Sequence, residues 1–281
     1  MNWILNKIKK ILPGKKKSLD IIKKNAWQKC KVCMTMLYAD ELEKTSYVCA
    51  TCGNHLKIHP NLRLKKLMDD EQFEVIKTPG AFQDPLNFKA TKTYKERFYA
   101  AQEKTNMDSA ILVAYGKIKG IPVTCALHNF DFLGGSVGPS EAEALVKAAE
   151  HCVTFNTPLI VFTSSGGMRM MTNQYSLQAL PKTTIAVQML KDARLPYIVV
   201  LTDPTSGGVS ASYASLGDIT IAEPRAKIMF AGASVTKNTT GEIIPEDVQT
   251  AEYLLEHGFI DQIVHRNDLR DNLAQIISTL L

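Results

Sequence analysis

Strand-like and helix-like stretches alternate along residues 61–281, and their apolar pattern predicts a sheet covered by helices. Two adjacent β-like runs, SAILVAYGKIKG and IPVTCALHNFDF, are parted by Gly120 in a turn and precede the helical run PSEAEALVKAAEHC. The later strands PLIVFTS and PYIVVLTD are apolar almost throughout, as expected when both faces of a parallel sheet are buried. Strand pairs followed by a helix, repeated, predict an α/β fold of stacked ββα units.

Paired glycines follow both of these apolar strands. Gly166 and Gly167 lie in VFTSSGGMRM, and Gly207 and Gly208 lie 41 residues further on in YIVVLTDPTSGGVSAS. Each pair is predicted to open a helix, whose first amides lack intrahelical partners and carry the positive end of the helix dipole. The two turns are therefore candidate oxyanion sites. The alternative is a tight turn that needs glycine only for its backbone angles.

Composition and motifs exclude several classes of protein. The chain of 281 residues is 45% hydrophobic and 22% charged, an ordinary globular composition. No apolar run approaches the roughly 20 residues that span a bilayer, and no secretory signal is recognisable, so we expect a cytoplasmic protein. Neither G-x-G-x-x-G nor G-x-x-x-x-G-K-[ST] follows a strand, so nucleotide binding has no support.

The basic residues are concentrated at the N-terminus. Residues 1–31 contain ten lysines and one acid, whereas the other 250 residues carry a net charge of −4. We predict that residues 1–26 form a basic flexible arm that mainly solubilises the chain. A weak interfacial helix or a contact for anionic partners is the alternative.

Four cysteines predict a metal-binding module over residues 27–60. They are spaced as two CxxC knuckles, Cys30-x2-Cys33-x15-Cys49-x2-Cys52. Two such turns supply the four thiolates of a closed tetrahedral zinc site, so a structural Zn²⁺ is expected, one per chain. Two disulfides are the alternative, which the missing secretory signal does not favour.

Three longer stretches, downstream of the four-cysteine ribbon, carry a family resemblance. SGGMRM, LTDPTSGGVSASYASLGDITIAEPRAKIMFAG and QTAEYLLEHGFIDQIVHR closely resemble the beta subunit of bacterial acetyl-CoA carboxylase carboxyltransferase. The resemblance covers the chain from about Trp27 to its end. It implies a crotonase-like ββα superhelix over residues 61–281 and transfer of a carboxyl group from carboxybiotin, on a separate carrier protein, to acetyl-CoA, giving malonyl-CoA.

The resemblance also implies partners and site residues. The partners are a carboxyltransferase alpha subunit of the same fold, in a heterotetramer of two alpha and two beta subunits, a biotin carboxyl carrier protein and a biotin carboxylase. The expected catalytic groups are the amides of the two glycine pairs, Gly166, Gly167, Gly207 and Gly208. Gly134, Gly135 and Arg169 are expected to bind substrate. We identify no general base, and the released biotin nitrogen could take the proton.

Several positions depart from the family pattern. Met168, Met171 and Thr172 replace the usual Ala, Gln and Glu. Val137 changes the loop that contains Gly134 and Gly135, and Pro181 is expected to interrupt the next helix. We expect these changes to alter the rim of the pocket, as in a specialised second copy of the enzyme. Two other functions are weighed: a related biotin-dependent decarboxylase or transcarboxylase subunit, and a zinc-ribbon module that binds nucleic acid through its lysines.

Overall fold

The computed structural model describes residues 27–79, 84–245 and 247–281. The predicted basic arm, residues 1–26, lies outside them. The strands within these ranges are β1 Trp27–Lys29, β2 Met36–Tyr38, β3 Phe73–Ile76, β4 Ile111–Ile118, β5 Ile121–His128, β6 Leu159–Ser165, β7 Tyr197–Ser206, β8 Ile219–Ala222, β9 Ile228–Met229 and β10 Gln262–Ile263. The helices are α1 Ala39–Lys44, α2 Pro60–Leu67, α3 Tyr94–Thr105, α4 Pro139–Phe155, α5 Gln174–Leu177, α6 Ala179–Asp192, α7 Ala233–Thr240, α8 Ala251–Glu256 and α9 Leu269–Leu280.

A mixed sheet forms the body of the molecule. Its order is β10-β8-β7-β6-β5-β4-β3, and β9 pairs with the end of β7. The pairs from β5 onward are parallel, while β3, β4 and β5 are antiparallel. The turn between β4 and β5 consists of Lys119 and Gly120, both with positive φ (48° and 80°), as a two-residue hairpin turn requires.

The central strands are apolar throughout because both of their faces are covered. Val161 and Val199 belong to a core cluster that includes residues of α4 and α6, whereas Ile160 and Ile198 belong to a second cluster that includes residues of α2 and α9. Alternate side chains of one strand thus enter opposite layers. The sequence prediction of a sheet covered on both faces is confirmed.

Two predictions about helices are wrong. Pro181 does not interrupt a helix, because it is the third residue of α6, in the first turn, where its missing N–H is not needed. No α-helix directly follows Gly208, because the segment forms turns and a short 3-10 helix, Tyr213–Ser215. Here the hydroxyls of Ser210 and Ser212 bond the carbonyls of Gly207 and Gly208, which offers the backbone an alternative to a helix.

A buried arginine makes several of the contacts between the cysteine module and the body. Nη1 of Arg266 donates to the carbonyl oxygens of Ser46, Tyr47 and Leu56 at 2.9–3.2 Å. The same guanidinium bonds the carboxylate of Glu223, which is 1% exposed. Burial alone would raise the pKa of Glu223, but the charges of nearby arginines hold it well below its ordinary value. None of the helices in the described ranges is long and apolar enough to cross a membrane.

Candidate active site

The two glycine pairs meet where the neighbouring strands β6 and β7 end. A β carbon built on Gly167 would lie 3.3 Å from Cα of Gly207, and one built on Gly207 would lie 3.2 Å from Cα of Gly167. Both residues have positive φ, +110° and +62°. Glycine is therefore required at this junction twice over, for its backbone angles and for the close approach of two chains.

The amides of the two pairs differ in their availability. The N–H of Gly166 donates to O of Gly134 at 2.9 Å, and that of Gly167 donates to Oγ of Ser165 at 3.0 Å. The N–H of Gly207 donates to O of Phe230 at 3.0 Å. Within the described part of the chain, the N–H of Gly208 has no acceptor. The donor that this junction can offer a substrate oxygen is therefore the amide of Gly208.

This arrangement differs from the expected helix openings. The segment after Gly167 forms a parallel bridge with Val137 and then a 3-10 turn, so that pair does not begin a helix. A catalytic role for Gly166 and Gly167 stays a prediction, and it would require their N–H groups to leave their present acceptors.

The side chain of Met168 lies against Cα of Gly208. A β carbon built on Gly208 would lie 2.5 Å from Cγ of Met168 and 3.1 Å from Cδ2 of Leu180. Both apolar side chains thus rest directly on the Gly208 backbone. Three of the residues that depart from the family pattern are buried: Val137, Met171 and Thr172. They therefore change the buried packing around the site rather than its exposed rim.

The loop after β5 lies against the first glycine pair. Gly135 has φ +62°, and a β carbon on it would lie 2.0 Å from O of Ser164, so no other residue fits there. Gly134 also has positive φ, +70°, but faces open space, and its carbonyl accepts from Gly166. The structure thus brings two predicted substrate-binding residues, Gly134 and Gly135, to the edge of the glycine junction.

Arg169, the third residue expected to bind substrate, is 2% exposed. Its Nη2 donates to Oε1 of Glu141 at 2.6 Å and to O of Ser136 at 2.7 Å, and its Nη1 donates to Oη of Tyr94 at 3.2 Å. The guanidinium therefore fixes Ser136, the residue that directly follows Gly134 and Gly135. A direct contact between Arg169 and substrate stays a prediction that no geometry here supports.

Glu141 is the supporting residue that the sequence analysis missed. Its carboxylate is fully buried and accepts from the N–H groups of Ala110 and Gly138 as well as from Arg169. Burial by itself would raise the pKa of Glu141, but the charge of Arg169 and these donors lower it. An acid at the third position of α4 is a recognisable capping signal, whereas its partner 28 residues away is not deducible from spacing.

The four cysteines converge as their spacing predicts. Sγ of Cys30 lies 3.7 Å from that of Cys52, Sγ of Cys33 lies 3.6 Å from that of Cys49, and all four lie within 4.8 Å of one another. Metal–sulfur bonds of about 2.3 Å in a tetrahedron place sulfurs roughly 3.8 Å apart. None of these thiols is in a disulfide. The donor set and its spacing fit a tetrahedral metal ion.

Comparison with known proteins agrees, along nearly the whole chain, with the family resemblance found in the sequence. Residues 69–277 match the family model of the carboxyl transferase domain. The acetyl-coenzyme A carboxylase carboxyl transferase subunit beta of Dinoroseobacter shibae is 46% identical over all of this chain and 88% of its own length. The protein of the same name from Granulibacter bethesdensis is 48% identical over 91% of this chain and 84% of its own.

Solved structures share the fold. Transcarboxylase 12S with methylmalonyl-coenzyme A bound superposes with a TM-score of 0.62 at 25% identity, over 79% of this chain but only 41% of that longer one. The beta subunit of geranyl-CoA carboxylase from P. aeruginosa gives a TM-score of 0.63 over 94% of this chain and 42% of its own, and at 16% identity it supports the fold alone. The predicted crotonase-like ββα superhelix is thereby confirmed. The chain belongs to the carboxyl transferase family, among the biotin-dependent beta subunits of acetyl-coenzyme A carboxylase that its glycine and cysteine motifs predicted.

Proposed function

We propose that this chain is the carboxyltransferase beta subunit of an acetyl-CoA carboxylase. With an alpha subunit, it would transfer the carboxyl group from carboxybiotin on a carrier protein to acetyl-CoA, which gives malonyl-CoA. The observation that carries this proposal is the glycine junction at the ends of two adjacent parallel strands, where the amide of Gly208 has no acceptor among the described residues. The identity of 46% along the whole chain to a beta subunit supports the same reading.

The reaction needs fixed hydrogen-bond donors because it develops charge on oxygen twice. Removal of a proton from the acetyl methyl group places negative charge on the thioester oxygen. Departure of the carboxyl group from the substrate carboxybiotin places negative charge on a ureido oxygen. One well-placed donor contributes roughly 3–4 kcal/mol to such a step. The Gly208 amide would stabilise one of these charges, with Gly134 and Gly135 on the adjoining edge.

The four cysteines would hold one structural Zn²⁺. Four thiolates fill a tetrahedral site, which leaves no open position for substrate, so the ion would stabilise the ribbon and take no part in transfer. Thiols that lie at metal-binding distances without disulfides favour a reducing compartment, and we place the protein in the cytoplasm.

The second wall of the site would come from the alpha subunit, in a heterotetramer of two alpha and two beta subunits. Large apolar side chains are exposed beside the glycine junction: Met170 is 78% exposed, and Phe230, whose carbonyl bonds Gly207, is 71% exposed. An exposed apolar rim is typical of a protein interface. The biotin carboxyl carrier protein and the biotin carboxylase would complete the enzyme.

Reconstitution tests the proposal. The chain is co-expressed with the alpha subunit encoded in the same genome, and malonyl-CoA-dependent carboxylation of biocytin is measured. We expect transfer by the complex and little or none by the isolated chain. Full activity of the chain alone would overturn the need for a second wall. Malonyl-CoA decarboxylation without carboxylated biocytin would point to the decarboxylase alternative.

A further inference from the structure

A buried hydrogen-bonded chain links the two glycine-bearing loops beneath the junction. Oη of Tyr213 lies 2.7 Å from Nε2 of His128, and Nδ1 of His128 lies 3.2 Å from O of Gly135. His128 is the last residue of β5, and Tyr213 follows Gly208 by five residues. Their side chains are buried, with 5% and 1% exposure. The chain therefore connects the loop after β5 with the turn that begins at Gly208.

The direction of each bond follows from its partners. A carbonyl oxygen only accepts, so the bond to Gly135 requires a hydrogen on Nδ1 of His128. Burial lowers the pKa of His128 to about 4, so the ring is neutral at pH 7 and its Nε2 is an acceptor. Tyr213 therefore donates its hydroxyl hydrogen to Nε2. The ring is fixed as the Nδ1–H tautomer by two bonds of opposite direction.

The two ends of this chain hold backbone groups that form the site. At one end, Gly135 lies tightly against O of Ser164, and the adjacent carbonyl of Gly134 accepts from Gly166. At the other end, Tyr213 begins the short 3-10 helix that directly follows turn residues 207–212, which include Gly208. A break between His128 and Tyr213 would therefore remove one of the contacts that fix the two sides of the junction relative to each other.

We propose that His128 and Tyr213 are positioning residues for carboxyl transfer, whose hydrogen bond sets the loop of Gly134 and Gly135 relative to the Gly208 amide. This inference rests on the proposed function. Neither side chain touches substrate, because both are buried beneath the loops. A displacement of about 1 Å in a catalytic group costs about 100-fold in rate, so loss of this bond lowers kcat about 10- to 100-fold. Substrate binding changes less than kcat, because the side chains that are substituted do not touch substrate.

Tyr213→Phe tests the bond with the least disturbance of packing. In the complex with the alpha subunit, we expect kcat to fall about 10- to 100-fold with KM for malonyl-CoA within about twofold, a pattern that reports lost transition-state stabilisation. Thr105→Val is the matched control: it removes another buried hydroxyl, which donates to the backbone carbonyl of Ala101 within α3 at 2.7 Å. We expect a similar change in Tm but kcat within about threefold of the unmodified complex.

A second variant makes the test specific for the bond. His128→Asn places an amide N–H near the position of Nδ1, which retains a donor for Gly135 and removes the acceptor for Tyr213. Because both substitutions break the same bond, the double variant should lose no more activity than His128→Asn alone. Losses that multiply, or equal kcat in Tyr213→Phe and Thr105→Val, would overturn the proposal.

Histidine ¹⁵N NMR of the full chain supplies a readout independent of activity. We expect His128 to be the Nδ1–H tautomer at pH 7. The Nε2–H tautomer would refute the hydrogen-bonded chain whatever the activity of the complex. If the complex shows no transfer and His128 is the Nδ1–H tautomer, the proposed function is contradicted, and with it the catalytic role of the bond. The hydrogen bond itself would still be supported.

Discussion

Substitution of Glu141 by Gln should destabilise the protein far more than an exposed change of the same kind. Gln has nearly the same shape but carries no charge, so the guanidinium of Arg169, 2% exposed, would lose the anion that lies 2.6 Å away. Removal of one partner from a buried ion pair costs about 3–5 kcal/mol. At about 2–4 °C per kcal/mol for a domain of this size, Tm should fall by roughly 6–20 °C.

The same helix offers a matched control. Glu150 in α4 pairs with Lys147, but both side chains are 45% exposed. Glu150→Gln should therefore cost at most about 1 kcal/mol. Arg169→Met added to Glu141→Gln removes the uncompensated charge, and we expect it to recover part of the lost stability.

Chemical denaturation as a function of pH checks the electrostatic origin. The pKa of Glu141 is lowered in the folded chain, so its contribution is complete above the ordinary carboxyl pKa of about 4.3 and is lost as pH falls through the lowered value. The stability gap between the unmodified chain and Glu141→Gln should be constant near neutral pH and should narrow below about pH 4. A Glu141→Gln chain as stable as Glu150→Gln at pH 7 would refute the reasoning.

Three further predictions concern other parts of the chain. Gly135→Ala should prevent soluble folding, because its β carbon would lie 2.0 Å from a carbonyl oxygen. Gly134→Ala should cost only about 1 kcal/mol in a denaturation experiment, because its neighbourhood is open despite its positive φ. Elemental analysis should find about one zinc per chain, and Cys33→Ser should lose the zinc while the body keeps its Tm. A metal-free chain with the four cysteines in disulfides would contradict the assignment of a zinc ribbon. Arg266→Met should loosen the ribbon, because three of its bonds to the body are lost while the contacts of Arg225 and His55 remain. Limited proteolysis should then cut near residues 44–56 before the body, and unchanged protease resistance would count against this role of Arg266.

Much of the fold could be predicted because its signals are local. The uniform apolarity of β6 and β7 indicates burial on both faces, and Gly120 marks the hairpin turn between β4 and β5. The CxxC knuckles likewise fix the convergence of four thiols, because each knuckle aims two sulfurs at one point.

The site was less predictable because its contacts join distant segments. The sequence indicated both glycine pairs, but not that Gly167 and Gly207 pack against each other. Nor did it indicate that, of the two pairs, the second leaves an amide without an acceptor in the ranges that the structure describes. The burial of Arg169 was missed for the same reason: a charged residue beside a glycine turn suggests an exposed ligand group, and its partner Glu141 is known only once the chain is folded.

Transfer of a labelled carboxyl group tests the central claim most directly. The carrier protein is carboxylated with ¹⁴C-bicarbonate, purified, and mixed with acetyl-CoA and the complex of this chain with its alpha subunit. The account predicts that the label appears in malonyl-CoA, and only when both subunits are present. Label that is released as bicarbonate while acetyl-CoA stays unlabelled, or that reaches acetyl-CoA without the alpha subunit, would contradict it.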